Sequence, residues 1–272
     1  MSKKIIRTQE EWHEKYLETV EKYRPIDDDF FAKLVRDNPE LAEEIIKIIL
    51  KKDDIRITSL RVQDYVTKLA GMRGVRFDAL CTDSTGKIYD VEMQRRDDGA
   101  RPKRARYYSG SIDADYLHSG EDFELLPTTY VIFITENDYY GQNRLIYHFD
   151  RMDKDSGIVF EDEAHIIYVN GAYENPDDKS ALAQLVSDFR CNNAKDMQNK
   201  VLADRTRFFK ETPEGVSDVC KYIEDIQKAA KEEAELIILV KLYRKGKLTL
   251  EEAAEEAEMT VKEFQELLDR VA

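Results

Sequence analysis

The sequence has few of the residues that form disulfides or bind soft metal ions. Its 272 residues include three cysteines, four histidines, eleven glycines, six prolines and one tryptophan. Cys81, Cys191 and Cys220 stand far apart and form no CxxC pair, which excludes a disulfide framework and a cysteine zinc site. The histidines form neither HxH nor HExxH. We therefore expect a reduced, cytoplasmic protein.

Long apolar runs and a surplus of positive charge are also absent. The longest apolar runs, such as Ile45–Leu50 and Leu236–Val240, are far shorter than the roughly 20 residues of a membrane helix. The formal net charge is −14, so a uniformly basic nucleic-acid-binding surface is excluded. We expect no membrane segment, and any contact with DNA requires a local basic patch.

The residues that are present suffice for a large core, because 42% are hydrophobic and fifteen are tyrosine. We expect an N-terminal segment over 1–25, an α/β domain over 26–175 and a helical region over 176–272. In the α/β domain the apolar spacing predicts helices over 28–35, 39–50 and 103–117. It predicts one or two strands over 55–66, and further strands over 75–82, 88–94, 129–135, 145–149 and 165–169.

The predicted hairpin of residues 75–94 carries the most chemical information. Residues 83–87 have turn chemistry, and a turn centred on Thr85 places Asp78 opposite Glu92. Side chains alternate along a strand, so each strand contributes to two faces. One face is predicted to collect Asp78, Asp90, Glu92 and Gln94. The other, apolar face is predicted to collect Phe77, Ala79, Cys81, Tyr89, Val91 and Met93.

Carboxylates on one strand face repel each other, because directly opposed Cβ atoms lie roughly 5 Å apart. A hard divalent cation such as Mg²⁺ offsets that repulsion by binding carboxylate oxygens. Such an ion also binds a phosphodiester and lowers the pKa of a water molecule. The alternative interpretation is a solvated polar sheet face on which acidic residues cluster without function.

The run GVRFDALCTDSTGKIYDVEMQRR resembles the core motif of the PD-(D/E)XK nuclease superfamily. It is most similar to the branch of nuclease-family transposases, or recombination-promoting nucleases. The segment Asp28–Phe31 resembles the opening Asp/Phe segment of that family. Residues 103–134 resemble its Arg–x–x–Tyr helix and the strand that follows, with Arg106 paired to Tyr107 or Tyr108.

The resemblance implies an α/β, restriction-endonuclease-like αβββαβ core with a mixed sheet, followed by a helical C-terminal region. It implies a Mg²⁺-dependent DNA endonuclease, with Mn²⁺ as an alternative cation. Asp78 and Glu92 would hold the metal, and Gln94 would complete the catalytic set. Gln94 stands where the superfamily name has a lysine, and an amide orients water or phosphate only through hydrogen bonds.

Many superfamily members add a glutamate from the first core helix, which makes Glu43 and Glu44 candidates here. A helix with Leu41, Ile45 and Ile48 inward places Glu44 beside the apolar stripe and Glu43 away from it. Glu44 is therefore favoured over Glu43, and a solvated helix face is the alternative for either residue.

Basic residues follow the Glu92 strand directly, and this is the strongest basic cluster in the chain. We expect DNA-backbone contacts from Arg95, Arg96, Arg104 and Arg106. The alternative is a charged connector followed by one solvated helix face.

The tail LTLEEAAEEAEMTVKEFQELL resembles a helix-turn-helix. Its second helix is acidic, which suits a structural role or a homodimer through the C-terminal helices better than DNA reading. The alternative to an active endonuclease is a catalytically inactive DNA-binding or protein-interaction module that retains the nuclease fold.

Overall fold

A computed structural model of the chain describes residues 9–66 and 74–270. These residues fall into two compact units, one of residues 18–66 and 75–216, the other of residues 9–17, 74 and 217–270. The strands of the described chain all lie in the first unit. They are β1 (Ile57–Val66), β2 (Val75–Asp83), β3 (Ile88–Gln94), β4 (Thr129–Thr135), β5 (Ile146–Phe149) and β6 (Ala164–Asn170).

The α-helices of the described chain include those predicted over 28–35, 39–50 and 103–117, whereas the helix over Gln9–Lys22 was not predicted. They are α1 (Gln9–Lys22), α2 (Asp28–Val35), α3 (Pro39–Leu50), α4 (Pro102–Tyr116), α5 (Ala181–Phe189), α6 (Lys200–Glu211), α7 (Pro213–Arg244), α8 (Leu250–Glu256) and α9 (Val261–Arg270). No helix in the described part of the chain has an apolar stretch long enough to cross a bilayer.

The strands form one mixed sheet in the order β1-β2-β3-β4-β6-β5. β1, β2 and β3 are antiparallel neighbours, β3, β4 and β6 run parallel, and β5 pairs antiparallel with β6. The succession α3, β1, β2, β3, α4, β4 is the predicted αβββαβ core, so the fold class is confirmed. Residues 57–66 form a single strand where one or two were predicted.

The β2–β3 hairpin has the predicted register, with Ala79 opposite Val91 and Thr82 opposite Ile88. Asp83 fixes the turn, because its Oδ1 accepts hydrogen bonds from the backbone N–H groups of Thr85 and Lys87 at 2.8 and 3.1 Å. The following turn residue, Gly86, has a φ of 88°, which a residue without a Cβ adopts at little cost.

Both faces of the sheet are covered, which corrects the expectation of one polar face. α2 packs against β2 and β3, and α4 packs against β4 and β6. All seven residues of β3 are buried. The acidic face therefore lies under a helix, and the interpretation as a solvated polar face is wrong.

Phe77 also departs from the predicted alternation. Its ring contacts Tyr108 edge-on at 5.3 Å, and it packs in the same apolar cluster as Leu80. The backbone is irregular here, since Gln63 of β1, which lies across from Asp78, has a φ of 52°. Phe77 was predicted to share a face with Ala79, and that prediction is wrong.

The C-terminal helices α8 and α9 each begin with a capping box. The Thr249 Oγ1 accepts from the Glu252 N–H at 3.2 Å, and the Glu252 carboxylate accepts from the Thr249 N–H at 2.8 Å. Thr260 and Glu263 repeat this exchange at 3.2 and 2.8 Å. This unit has its own apolar cluster, which contains Val240, Ala253, Ala254, Phe264 and Leu268.

Candidate active site

Asp78 and Glu92 meet where the β2–β3 ladder ends. The backbone N–H of Asp78 donates to Glu92 Oε1 at 2.8 Å, and the N–H of Met93 donates to Asp78 Oδ2 at 3.0 Å. Each carboxylate thus bonds to the partner strand's backbone. Only 6% of Asp78 and none of Glu92 is exposed. The hairpin brings the two predicted acids together and holds their side chains in fixed positions.

Asp90 is a third buried carboxyl beside this pair. It is fully buried, and among the described residues neither of its oxygens accepts a hydrogen bond while Glu92 is ionised. Its carboxyl lies within hydrogen-bonding reach of the Glu92 carboxyl. An unbonded buried carboxylate is costly, so this group is most stable when it holds a proton.

The three acids have strongly perturbed pKa values. Burial raises the pKa of Asp78 well above its usual range, and the charge of Glu92 raises it further. Burial is also the main reason that the pKa values of Asp90 and Glu92 are high, with Asp78 acting on Asp90, and Asp90 on Glu92. The site therefore concentrates more negative charge than its surroundings compensate.

Gln94 lies beside Glu92, as predicted, and its amide has a defined orientation. The Nε2–H group donates to Glu92 Oε2 at 3.3 Å, and Oε1 accepts from the Arg104 guanidinium at 3.1 Å. Only 8% of Gln94 is exposed. Because its oxygen is already bonded to a cation, Gln94 offers amide N–H groups to a ligand rather than an acceptor.

Arg104 lies within the site, and its predicted contact with the DNA backbone stays a prediction. Its Nη2 lies 3.4 Å from Glu92 Oε2 and donates to the Tyr108 hydroxyl at 2.6 Å. Its Nη1 also donates to the carbonyl oxygen of Gly99 at 3.1 Å. Arg104 and Tyr108 of α4 are therefore in direct contact, whereas the match of Arg106 to the family's Arg–Tyr motif stays a prediction.

Gly99 lets Gln94 and Arg104 meet. A Cβ added at Gly99 would overlap Gln94 Oε1. We expect Gly99→Ala to push the amide out of place and, for the nuclease activity proposed below, to lower the cleavage rate about tenfold, an effect typical of a misplaced supporting group. The measurement is the initial cleavage rate, with a thermal melt as the folding control. An unchanged rate would show that the orientation of Gln94 is unimportant.

The other predicted DNA contacts are distributed differently. Arg95 is exposed but lies 2.9 Å from Asp27 Oδ1, and its Nε donates to Glu136 at 3.0 Å, so it anchors the start of α2 to the end of β3. Arg96 is exposed and pairs with Asp98. Arg106 is exposed on α4. Arg95, Arg96 and Arg106 remain predicted contacts.

Glu43 is not the helix glutamate that many superfamily members add to the site. Its carboxylate instead fixes α3 to β1. It accepts from Lys47 at 2.5 Å and from the Ile57 N–H at 2.8 Å. The buried stripe of α3 contains Ala42, Ile46 and Ile49, whereas Ile48 is only half-buried. Leu41 and Ile45 are buried as predicted, and only the inward placement of Ile48 is wrong. Among the described residues, no hydrogen bond or ion pair connects Glu44 to Asp78 or Glu92.

Sequence reasoning missed the acid that α2 brings close to Asp78. Asp28 is the first residue of α2, and its charge helps to raise the pKa of Asp78, after burial and Glu92. Arg76 acts in the opposite direction on the same carboxyl. The signal was present in the Asp28–Phe31 segment that carries the family resemblance.

The residues present fit a hard divalent cation in charge and in donor type. Asp78 and Glu92 supply carboxylate oxygens, and burial together with the neighbouring acids raises the pKa values of all three carboxyls, so their charged forms are favoured when a cation lies beside them. Within residues 9–66 and 74–270, however, no three Asp, Glu, His or Cys side chains are arranged as a ligand set. Of the described residues, Asp78 and Glu92 are thus the pair that could hold such a cation.

The mixed sheet, the helix order and the interlocked acids define a nuclease-type protein with a restriction-endonuclease-like fold. A family model described as PD-(D/E)XK nuclease family transposase matches residues 30–183, which is more than half of the chain. The chain belongs to this family. A second model, described as Uncharacterised protein family (UPF0175), matches residues 212–272. Comparisons with curated proteins and with solved structures find no match.

Proposed function

We propose that this protein is a divalent-metal-dependent DNA endonuclease of the recombination-promoting type, which hydrolyses phosphodiester bonds. Mg²⁺ is the expected cation, with Mn²⁺ as an alternative. The observation that carries the proposal is the buried Asp78–Glu92 pair, in which each carboxylate bonds to the other strand's backbone. Such preorganised acids suit a cation that a phosphodiester approaches.

The chain's own residues divide the work as follows. Asp78 and Glu92 would hold the cation, which when bound would supply Lewis-acid chemistry for a phosphodiester and for a water molecule. Gln94 donates an amide N–H to a phosphate oxygen, because Arg104 already occupies its acceptor. Arg96 and Arg106 contact the DNA backbone on the basic flank that follows β3.

The test is cleavage of supercoiled plasmid by the purified full-length chain, with Mg²⁺, Mn²⁺, Ca²⁺ or a chelator. We expect nicked or linear DNA with Mg²⁺ or Mn²⁺ and none with the chelator. Glu92→Ala is expected to abolish cleavage. Glu44→Ala is the matched control, since it removes a glutamate that makes no bond to the site, and it is expected to cut like the parent.

Two outcomes contradict the proposal. Cleavage that survives both the chelator and Glu92→Ala would place the activity outside this site or in a contaminant. DNA binding by the parent without cleavage, under any of the three cations, would instead support an inactive DNA-binding module that retains the nuclease fold.

A further inference from the structure

Among the described residues, the cation that hydrogen-bonds to Gln94 and Glu92 comes from a helix rather than from the acidic strand. Gln94 is neutral and stands where the family's name has a lysine. Arg104 of α4 lies beside it, 3.1 Å from Gln94 Oε1 and 3.4 Å from Glu92 Oε2. We propose that Arg104 is the positioning residue that supplies the positive charge missing at residue 94. This inference rests on the proposed nuclease function.

The hydrogen bonds of Arg104 show that it orients neighbouring groups of the site rather than binding DNA directly. Its two terminal nitrogens donate to four protein acceptors, which are Gln94 Oε1, the Gly99 carbonyl, Glu92 Oε2 and the Tyr108 hydroxyl. A guanidinium has five N–H donors, so four such bonds leave little capacity for a phosphate. Its effect on the substrate must therefore act through Gln94 and Glu92.

The surroundings of Arg104 fix its position. Its guanidinium carbon lies 4.9 Å from the centre of the Tyr108 ring, and the Tyr108 hydroxyl donates in turn to the Arg76 carbonyl at 3.4 Å. The Tyr108 ring packs edge-on against Phe77 and Phe133 at 5.3 and 6.0 Å. A side chain held by a buried ring and four hydrogen bonds keeps one geometry, which a positioning residue requires.

This arrangement has two consequences for the chemistry. The guanidinium compensates Glu92, which is fully buried beside two other carboxyls. It also occupies the Gln94 oxygen and so directs the amide N–H groups to Glu92 and to a ligand. A lysine at residue 94 would supply charge from the strand itself, whereas here strand and helix share the task.

We expect that a positive charge at residue 94 can partly replace the positive charge at residue 104. We expect Arg104→Met to lower kcat for plasmid cleavage about 100-fold with little change in KM for DNA, the size of effect seen when one preorganised donor is lost. In that background, Gln94→Lys returns a cation to the site and is expected to restore kcat about tenfold. Arg207→Met, which removes an exposed arginine paired with Asp204, is the matched control and is expected to match the parent.

A second measurement separates positioning from a structural role. Calorimetric titration with Ca²⁺, in the absence of DNA, reports the cation affinity of the acids directly. Removing the nearby positive charge in Arg104→Met is expected to preserve or tighten Ca²⁺ binding, because one repulsive charge is gone. A site that has merely lost its shape would bind Ca²⁺ more weakly.

Three outcomes overturn the inference, and they differ from failure of the proposed function. The first is a parent-like kcat for Arg104→Met with KM raised, which makes Arg104 a DNA contact. The second is no recovery with Gln94→Lys, and the third is loss of Ca²⁺ binding in Arg104→Met. If the parent itself does not cut with any cation, the proposed function and this inference fall together.

Discussion

Replacing Asp78 by asparagine is expected to slow plasmid cleavage about 10³-fold, which corresponds to about 4 kcal/mol of transition-state stabilisation. The substitution is matched in shape. The amide oxygen of asparagine can still accept the Met93 N–H that Asp78 Oδ2 accepts at 3.0 Å. Only the charge that binds a hard cation is removed. Initial rates at saturating Mn²⁺, together with a thermal melt, measure both effects.

Asp83→Asn is the control for this variant because Asp83 is a carboxylate of the same strand that serves the fold. It accepts hydrogen bonds from the Tyr89 hydroxyl at 2.8 Å and from the turn backbone. We expect it to lose about 1–2 kcal/mol of stability and to keep its cleavage rate. If Asp78→Asn cuts within a few-fold of the parent, Asp78 does not hold the metal.

The position of the acids could be predicted because short-range information sets the hairpin register. Residues 83–87 have the chemistry of a tight turn, and a fixed turn fixes which residues face each other. Asp78 and Glu92 follow from that alone. The family resemblance added the chemistry, and the fold class followed from the order of helices and strands.

The burial of the acidic face could not be predicted in the same way. It depends on α4, whose sequence has little apolar asymmetry and buries Ala105, Tyr108, Ser109 and Ile112. Where that helix lies is decided by contacts with β4 and β6, which are distant in the sequence. Local patterning therefore left open whether the acids face water or a helix.

The roles of Arg104 and Asp28 were missed for a related reason. Arg104 is one of several basic residues after β3, and composition alone gives them all the same expected role. The structure gives these residues different partners. Arg104 pairs with Glu92, Arg95 pairs with Asp27, and Arg96 is exposed. Each destination is a contact between elements, which spacing along the chain does not encode.

The fully buried carboxyl of Asp90 leads to the second large effect. Because neither oxygen accepts a hydrogen bond from the described residues while Glu92 is ionised, its charged form is unfavourable in the metal-free fold. Asp90→Asn replaces that carboxyl by a neutral group of the same shape. We expect the variant to gain about 1–2 kcal/mol in the free energy of unfolding at pH 8, the usual gain when a strained functional site is relaxed.

The sign of the pH dependence follows from the raised pKa values of Asp78, Asp90 and Glu92. The native state holds these protons more tightly than the unfolded chain, whose carboxyl pKa values are about 4. The stability that they contribute is fully present below about pH 4 and is lost as the pH rises through the raised values. The free energy of unfolding of the metal-free parent should therefore fall as the pH rises towards 8.5.

In Asp90→Asn the free energy of unfolding should fall less steeply with pH, because the variant lacks one of the three carboxyls that bind a proton. Urea unfolding of parent and variant at a series of pH values, in the presence of a chelator, measures both slopes.

Asp83 provides the opposite case, since its hydrogen bonds outweigh burial and lower its pKa, so its contribution to stability is lost only as the pH falls. Excess Mn²⁺ should restore parent stability at high pH by about 2.7 kcal/mol at 100 times Kd. Equal slopes for parent and Asp90→Asn would show that Asp90 is ionised in the native state despite its burial.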